Sequence, residues 1–112
     1  MKNPSQDVLQ SIIRLYSQGQ FLEALKRSSQ LLKKYPNSVA LYKIQANANV
    51  GLGLLDPAIK SYKAASILEP NSAEIYYNQG VILQNQAKLR EAVDSYGKAV
   101  SIDPSHADAF YN

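Results

Sequence analysis

Residues 39–72 read VALYKIQANANVGLGLLDPAIKSYKAASILEPNS, and residues 73–106 read AEIYYNQGVILQNQAKLREAVDSYGKAVSIDPSH. Aligned without a gap, these two segments of 34 residues are identical at eight positions. The matched pairs are Tyr42/Tyr76, Gln45/Gln79, Leu55/Leu89, Ala58/Ala92, Ser61/Ser95, Tyr62/Tyr96, Ala65/Ala99 and Pro70/Pro104. A fixed period of this length indicates a protein built from stacked structural repeats.

A third copy of the same period lies upstream of the first two. It is more divergent, but it keeps Gly19, Ala24 and Pro36 in register with the later copies. The sequence therefore predicts a single domain over residues 1–112, made of repeats at 5–38, 39–72 and 73–106 and the start of a fourth unit's first helix at 107–112.

Each repeat has the pattern of two helices joined by a short turn. In residues 73–86, Tyr76, Gly80 and Leu83 recur at spacings of three and four, and a second such pattern covers residues 90–102. Since no hairpin of this kind can bury its apolar face alone, neighbouring hairpins must stack.

Proline and small polar residues punctuate the helices. Pro70 should stop the second helix of its repeat, and Asn71 or Ser72 can cap the helix that follows. The pair Asp56-Pro57 predicts the start of a helix that the aspartate caps.

Small side chains are expected wherever the two helices of a hairpin approach closely. These residues are Ala24, Ala58 and Ala92 on the second helices, with Ala46 and Gly80 on the facing first helices. Tyr62 and Tyr96 are expected to fill the space between one hairpin and the next.

The residues at these positions resemble the tetratricopeptide repeat family. The third repeat carries the family pattern in Tyr76, Gln79-Gly80, Leu83, Ala92, Tyr96, Ala99 and Pro104. The resemblance implies an all-α fold, a right-handed superhelical solenoid of antiparallel helix hairpins. It also implies that the first helices line a concave groove in which an extended polypeptide partner lies.

The resemblance also implies which side chains face that groove. From the second repeat onwards, the candidates for peptide binding are Lys43, Asn47, Glu74, Tyr77, Asn78, Val81, Asn85, Tyr111 and Asn112. The same register points Leu9, Gln10, Ile13, Tyr16 and Ser17 of the first repeat, and Ile44, Val50, Gly51, Gln84 and Asp108 of the later units, towards the groove.

One sharper pattern is the carboxylate clamp with which some relatives hold chaperone C-terminal tails. Lys43, Asn47 and Asn78 match its first three positions. Asp108 and Asn112 stand where the next repeat should supply Lys and Arg, and an aspartate repels a terminal carboxylate. The clamp is therefore incomplete.

A second pattern is the asparagine ladder of the O-linked N-acetylglucosamine transferase, in which successive repeats hold the peptide backbone. Asn78 and Asn112 fit this ladder, whereas Gln10 and Ile44 interrupt it. An Asn amide both donates and accepts hydrogen bonds, so it can pair with a peptide unit. The alternative is that Asn78 only solvates the groove or bonds to a neighbouring helix, and both readings stay open.

Other functional classes find little support in the sequence. The chain has no Cys and a single His, and no nucleophile–base pair or metal-ligand set is evident, so we expect no enzymatic activity, no metal and no cofactor. Its net charge of +3 is spread along the chain, which argues against nucleic-acid binding. No apolar stretch approaches the length of a membrane span or a signal peptide, so we expect a cytoplasmic protein.

The last hairpin has no capping helix in this sequence. Its apolar side should therefore associate with another copy or belong to a longer protein. The predicted self-association residues are Val93, Tyr96, Val100, Phe110 and Tyr111. Two alternatives to a peptide-binding scaffold stay open: a self-associating structural unit, and the non-catalytic arm of a larger enzyme such as a glycosyltransferase or sulfotransferase.

Overall fold

The computed structural model describes residues 3–106, which form six α-helices and one short 3-10 helix. The helices are α1 (Gln6–Ser17), α2 (Phe21–Lys34), α3 (Val39–Gly51), α4 (Leu55–Leu68), α5 (Ala73–Asn85) and α6 (Leu89–Ile102), followed by the 3-10 helix Pro104–His106. The proposed start of a fourth unit, residues 107–112, lies outside the described residues. None of the helices in residues 3–106 has the length and apolar character needed to cross a membrane.

The first helix of each hairpin begins at a serine. The hydroxyls of Ser5, Ser38 and Ser72 accept hydrogen bonds from the backbone three residues later, at 3.3, 3.2 and 3.4 Å. Each bond satisfies a backbone donor that has no partner within the helix, so the capping predicted from the Pro-Asn-Ser pattern is confirmed.

The second helices begin without such caps, and the predicted role of Asp56 is wrong. Helix α4 begins at Leu55, with Leu54 as its uncapped flanking residue. Asp56 lies in the first turn and accepts a hydrogen bond of 2.7 Å from the side chain of Gln86, at the end of α5. The carboxylate therefore links two neighbouring hairpins.

The turns inside the hairpins share one left-handed residue. Gly19 and Gly53 have φ values of 78° and 77°, and the equivalent residue of the third hairpin is Ala87, with φ of 62°. In each turn, the residue after it donates its backbone N–H to a carbonyl five residues back, as Lys88 does to Leu83 at 2.9 Å. Ala87 keeps the shape of the turn although its Cβ disfavours this conformation.

The helices stack in chain order, each against the next, and α1 also contacts α3. Two clusters of buried side chains hold the stack together, and half-buried Tyr42 packs against both of them. The small residues predicted for close approach, Ala24, Ala46, Ala58 and Ala92, are all buried. With no strand among residues 3–106, this is the predicted all-α solenoid of antiparallel helix hairpins.

A partly buried polar bridge ties α3 to both helices beside it. The Nε2 group of Gln45 donates to the Ser29 hydroxyl at 3.0 Å, and its Oε1 accepts from the Ser61 hydroxyl at 2.7 Å. One repeat later, Gln79 and Ser95 take the places of Gln45 and Ser61, but Lys63 stands where Ser29 would be. The Nε2 group of Gln79 is buried and has no partner among the described residues.

Candidate peptide-binding groove

A cavity lies between α1 and α3, on the surface formed by the first helices. Its volume is about 490 Å³. It is lined by Gln6, Leu9, Ile13, Tyr16, Ser17, Ala40, Lys43, Ile44 and Asn47. Most of this lining is apolar, with the polar groups of Gln6, Ser17, Lys43 and Asn47 around it. An apolar hollow with a few polar groups is the usual form of a ligand site.

Two smaller cavities continue this hollow in opposite directions. Asn47 also lines a cavity of about 110 Å³ formed with Val50, Tyr62, Asn78, Val81 and Ile82. At the other side, Gln6, Leu9 and Ala40 are shared with a cavity of about 390 Å³ that extends to Asn3, Pro4, Asn37, Ser38, Val39 and Glu69. We call these three cavities, which share lining residues, the groove.

A buried tyrosine organises the floor of the groove where the second and third hairpins meet. The Tyr62 hydroxyl donates to Oδ1 of Asn47, and the Asn78 side chain also hydrogen-bonds to Tyr62. Burial, followed by the nearby charge of Glu74, raises the pKa of Tyr62 to about 12, although the Asn78 bond acts in the opposite direction. Tyr62 thus stays protonated as a donor at neutral pH, and the Nδ2 group of Asn47 remains to donate to a ligand carbonyl.

The ammonium group of Lys43 is already engaged. Its Nζ lies 2.9 Å from Oε1 of Glu74, which joins α3 to α5 across the surface of the groove. Of the three residues that match the carboxylate clamp, Lys43 is thus paired with an internal carboxylate. Asn47 and Asn78 are both bonded to Tyr62.

The other candidates for peptide binding are distributed unevenly. Val81 lines the smallest of the three cavities. Tyr77 is half-buried, with its ring centre 5.8 Å from that of Tyr96. Asn85 is exposed at the end of α5 and lines none of the three cavities. Tyr111 and Asn112 lie outside the described residues.

Gln6, Ala40 and Glu69 are among the groove residues that were not candidates. Gln6 and Ala40 occupy the second position of their repeats, a position that already pointed Glu74 towards the groove, so the same register could have found them. Glu69 is different, because it follows α4 and reaches the groove only through the way in which the hairpins stack. No sequence signal marks it.

The predicted self-association surface is only partly exposed. Val93 is 52% exposed and Leu89, one turn earlier, 62%, whereas Ile59, the equivalent of Val93 one repeat back, is 8% exposed. Val100 is half-buried. The placement of Tyr96 on this surface is wrong: Tyr96 is buried inside its own hairpin, because Gly80 lacks a side chain and leaves room for the ring. The other two predicted residues, Phe110 and Tyr111, lie outside the described residues.

Comparison with sequence families identifies two of the repeats. Models of the tetratricopeptide repeat match residues 73–106 and residues 7–38. The chain belongs to the tetratricopeptide repeat family. No curated protein matches its sequence.

Solved structures of other tetratricopeptide repeat proteins have the same fold. The type III secretion chaperone SycD of Yersinia enterocolitica, solved with a peptide of the translocator YopD, superposes with a TM-score of 0.88 over 95% of this chain and 88% of its own, at 14% identity. The first repeat domain of Spaghetti (RPAP3), bound to an HSP90 peptide, gives 0.85 over 93% and 85%, at 19% identity. MamA is 28% identical with a TM-score of 0.81, and the match covers 88% of this chain but only 57% of MamA.

Proposed function

We propose that this chain is a protein-binding scaffold module whose groove holds an extended segment of a partner polypeptide. The observation that carries the proposal is the apolar cavity of about 490 Å³ between α1 and α3, continued on both sides by smaller cavities. Proteins of the same fold support it, since SycD was solved with a YopD peptide, the RPAP3 domain with an HSP90 peptide, and PcrH with the chaperone binding region of PopB.

The binding energy should come mainly from apolar contact. A Leu- or Phe-sized side chain that leaves water for the cavity beside Leu9, Ile13 and Ile44 gains about 1.5–3 kcal/mol. A hydrogen bond from the Asn47 or Asn78 amide to the ligand backbone adds about 0.5–1.5 kcal/mol. The amides therefore orient the peptide, and the cavity supplies most of the affinity.

Two isoleucine variants test the proposal. Ile13 lies in the groove and is 39% exposed, whereas Ile67 lies near the end of α4, away from the three cavities, and is 79% exposed. We expect Ile13→Lys to weaken binding of a fluorescent peptide, selected on the wild-type protein, by about tenfold or more, because it places a charge in the apolar cavity.

The matched control Ile67→Lys should leave the affinity within about twofold, because surface changes away from a binding site have small effects. Circular dichroism confirms that both variants are folded. Equal affinity of the wild-type protein and Ile13→Lys would mean that the ligand lies elsewhere.

A second candidate function is self-association through α6. The exposure of Leu89 and Val93, against the burial of Ile59 at the equivalent position, favours it. We propose a second copy as the occupant, since Arg90, Glu91 and Asp94 give the exposed side of α6 charges of both signs. Light scattering over a hundredfold range of concentration should then show a mass that rises above the 12.4 kDa monomer.

The variant Val93→Lys should hold the mass at the monomer value, and Leu22→Lys, a change at an exposed leucine of α2, should not. A monomer mass for the wild-type protein throughout the range contradicts this candidate.

A cytoplasmic location, and the absence of enzymatic, nucleic-acid and membrane roles, stay predictions from the sequence.

A further inference from the structure

Formal charge in the groove is confined to two positions. Among the described residues that line its three cavities, only Lys43 and Glu69 carry one. The remaining lining consists of apolar side chains, amides and hydroxyls. Any charge preference of the ligand therefore depends on the surroundings of these two groups.

Lys43 is neutralised from within the protein. Its Nζ forms an ion pair of 2.9 Å with Glu74, the only salt bridge within residues 3–106. An acidic group of a ligand would have to compete with a carboxylate that is tethered at contact distance. Glu74 thus makes this part of the groove a poor site for anions.

Glu69 is in the opposite situation. It follows the last turn of α4 and is exposed in the cavity of about 390 Å³, beside the polar residues Asn3, Asn37 and Ser38. No cation of the described chain forms an ion pair with it. The carbonyl end of a helix carries partial negative charge, which adds to the attraction of this corner for a cation.

The groove and the whole protein consequently differ in the sign of their net charge. Lys43 and Glu74 cancel, so Glu69 leaves the groove with one net negative charge, although the chain carries a net charge of +3. Electrostatic complementarity acts through the local surface that the partner contacts. The preference of the groove should therefore be for cations.

We infer that the ligand is an extended peptide that places a bulky apolar side chain in the cavity between α1 and α3 and a nearby Lys or Arg against Glu69, and that Glu74 disfavours acidic ligands by occupying Lys43. This inference rests on the peptide-binding function proposed above. It adds the chemical class of the ligand and assigns specificity to two carboxylates, Glu69 and Glu74.

The test is an array of nine-residue peptides, acetylated and amidated at their ends, with Leu in the central position and Ala elsewhere. Lys, Gln or Glu replaces each flanking Ala in turn, and a parallel series has Ala in place of the Leu. We expect binding to require the Leu, and one flanking position to prefer Lys over Glu by about three- to fivefold, which is the upper part of the range that exposed ion pairs give.

Single carboxylate variants locate the preference. In Glu69→Gln the ratio of Lys to Glu signals should fall to about one, and in Glu74→Gln the signal of Glu-containing peptides should rise about two- to fourfold. Glu23→Gln removes a carboxylate on α2 that lines none of the three cavities and should change neither quantity.

Leu-dependent binding with equal Lys and Glu signals would overturn the inference and leave the proposed function standing. A Lys preference that persists in Glu69→Gln would also overturn it. Binding of no peptide, or binding that does not depend on the Leu, would overturn both.

Discussion

The close fit of Gly80 under the ring of Tyr96 gives the sharpest prediction about stability. A Cβ at position 80 would lie 2.6 Å from Cε1 of that ring, 2.7 Å from Cδ1 and 3.0 Å from Cζ. Restoring an ordinary carbon contact of about 3.5 Å requires the ring to move by roughly 0.9 Å. The ring resists this movement, because its hydroxyl donates to Gln84 at 2.8 Å and its centre lies 5.8 Å from that of the Tyr77 ring.

We therefore expect Gly80→Ala to destabilise the protein. Overpacking a core costs about 1–3 kcal/mol, while replacing Gly by Ala inside a helix returns about 1 kcal/mol. The net loss in the free energy of unfolding should be about 1 kcal/mol, and at most about 2 kcal/mol. Urea titrations followed by far-UV circular dichroism measure it.

A second background isolates the contact. Tyr96→Val lacks every ring atom that the new Cβ would meet, so in this background Gly80→Ala should stabilise the protein by about 0.5–1 kcal/mol through helix propensity alone. The sign of the effect should thus reverse. The reasoning is refuted if Gly80→Ala has the same effect in both backgrounds, or if it stabilises the wild-type protein.

Four further substitutions and one dependence on pH have expected outcomes. Lys63→Ser should supply the missing partner of the buried Gln79 amide, and so raise the free energy of unfolding in urea titrations by about 0.5–1.5 kcal/mol. Ser29→Ala breaks the equivalent bond of Gln45 and should lower the free energy of unfolding by a similar amount. Ala87→Gly should raise it by about 0.5–1 kcal/mol, because glycine relieves the left-handed backbone of the turn; an unchanged melting curve would contradict this. Because burial raises the pKa of Tyr62 from 10.0 to about 12, deprotonation favours the unfolded chain above pH 10, and stability should fall by about 1.4 kcal/mol per pH unit up to about pH 12. Tyr62→Phe should flatten this decline, and an identical decline in both proteins would contradict the assignment.

The elements of the fold are predictable from the sequence because they depend on local and periodic information. The prolines and alanines at intervals of 34 residues mark the hairpins, and the serine after each closing Pro-Asn pair caps the next helix. The cap assigned to Asp56 is wrong for an equally local reason. The helix begins two residues earlier than predicted, with Leu54 as its flanking residue, and the carboxylate accepts a hydrogen bond from Gln86 on another hairpin.

The details of the groove depend on the stacking of hairpins, which no single repeat encodes. Tyr62 and Tyr96 occupy the same place in the repeat, yet the Tyr62 hydroxyl reaches Asn47, whereas Tyr96 lies over Gly80 and reaches Gln84. Gly80, on the helix that faces Tyr96, has no Cβ, and this leaves room for the ring. The position of Tyr96 could not be read from the repeat pattern alone.

The charges of the groove are also a product of three-dimensional packing. Lys43 and Glu74 were each predicted to face the groove, but their pairing depends on the offset between α3 and α5. Glu69 lines the same cavity as Leu9 of α1 only through the way in which the hairpins stack. The position of a residue within the repeat predicts which side of its helix it lies on. It does not predict which residue of another hairpin it contacts.

The most direct test of the proposed function is a map of the ligand on the folded protein. In a two-dimensional 15N–1H spectrum, titration with a peptide selected from the array should shift the amide signals of Leu9, Ile13, Ile44 and Asn47 most strongly. Those of α2 and α6 should stay nearly unchanged. Shifts concentrated on α6, around Leu89 and Val93, would contradict the account and identify the exposed face of the last hairpin as the binding surface.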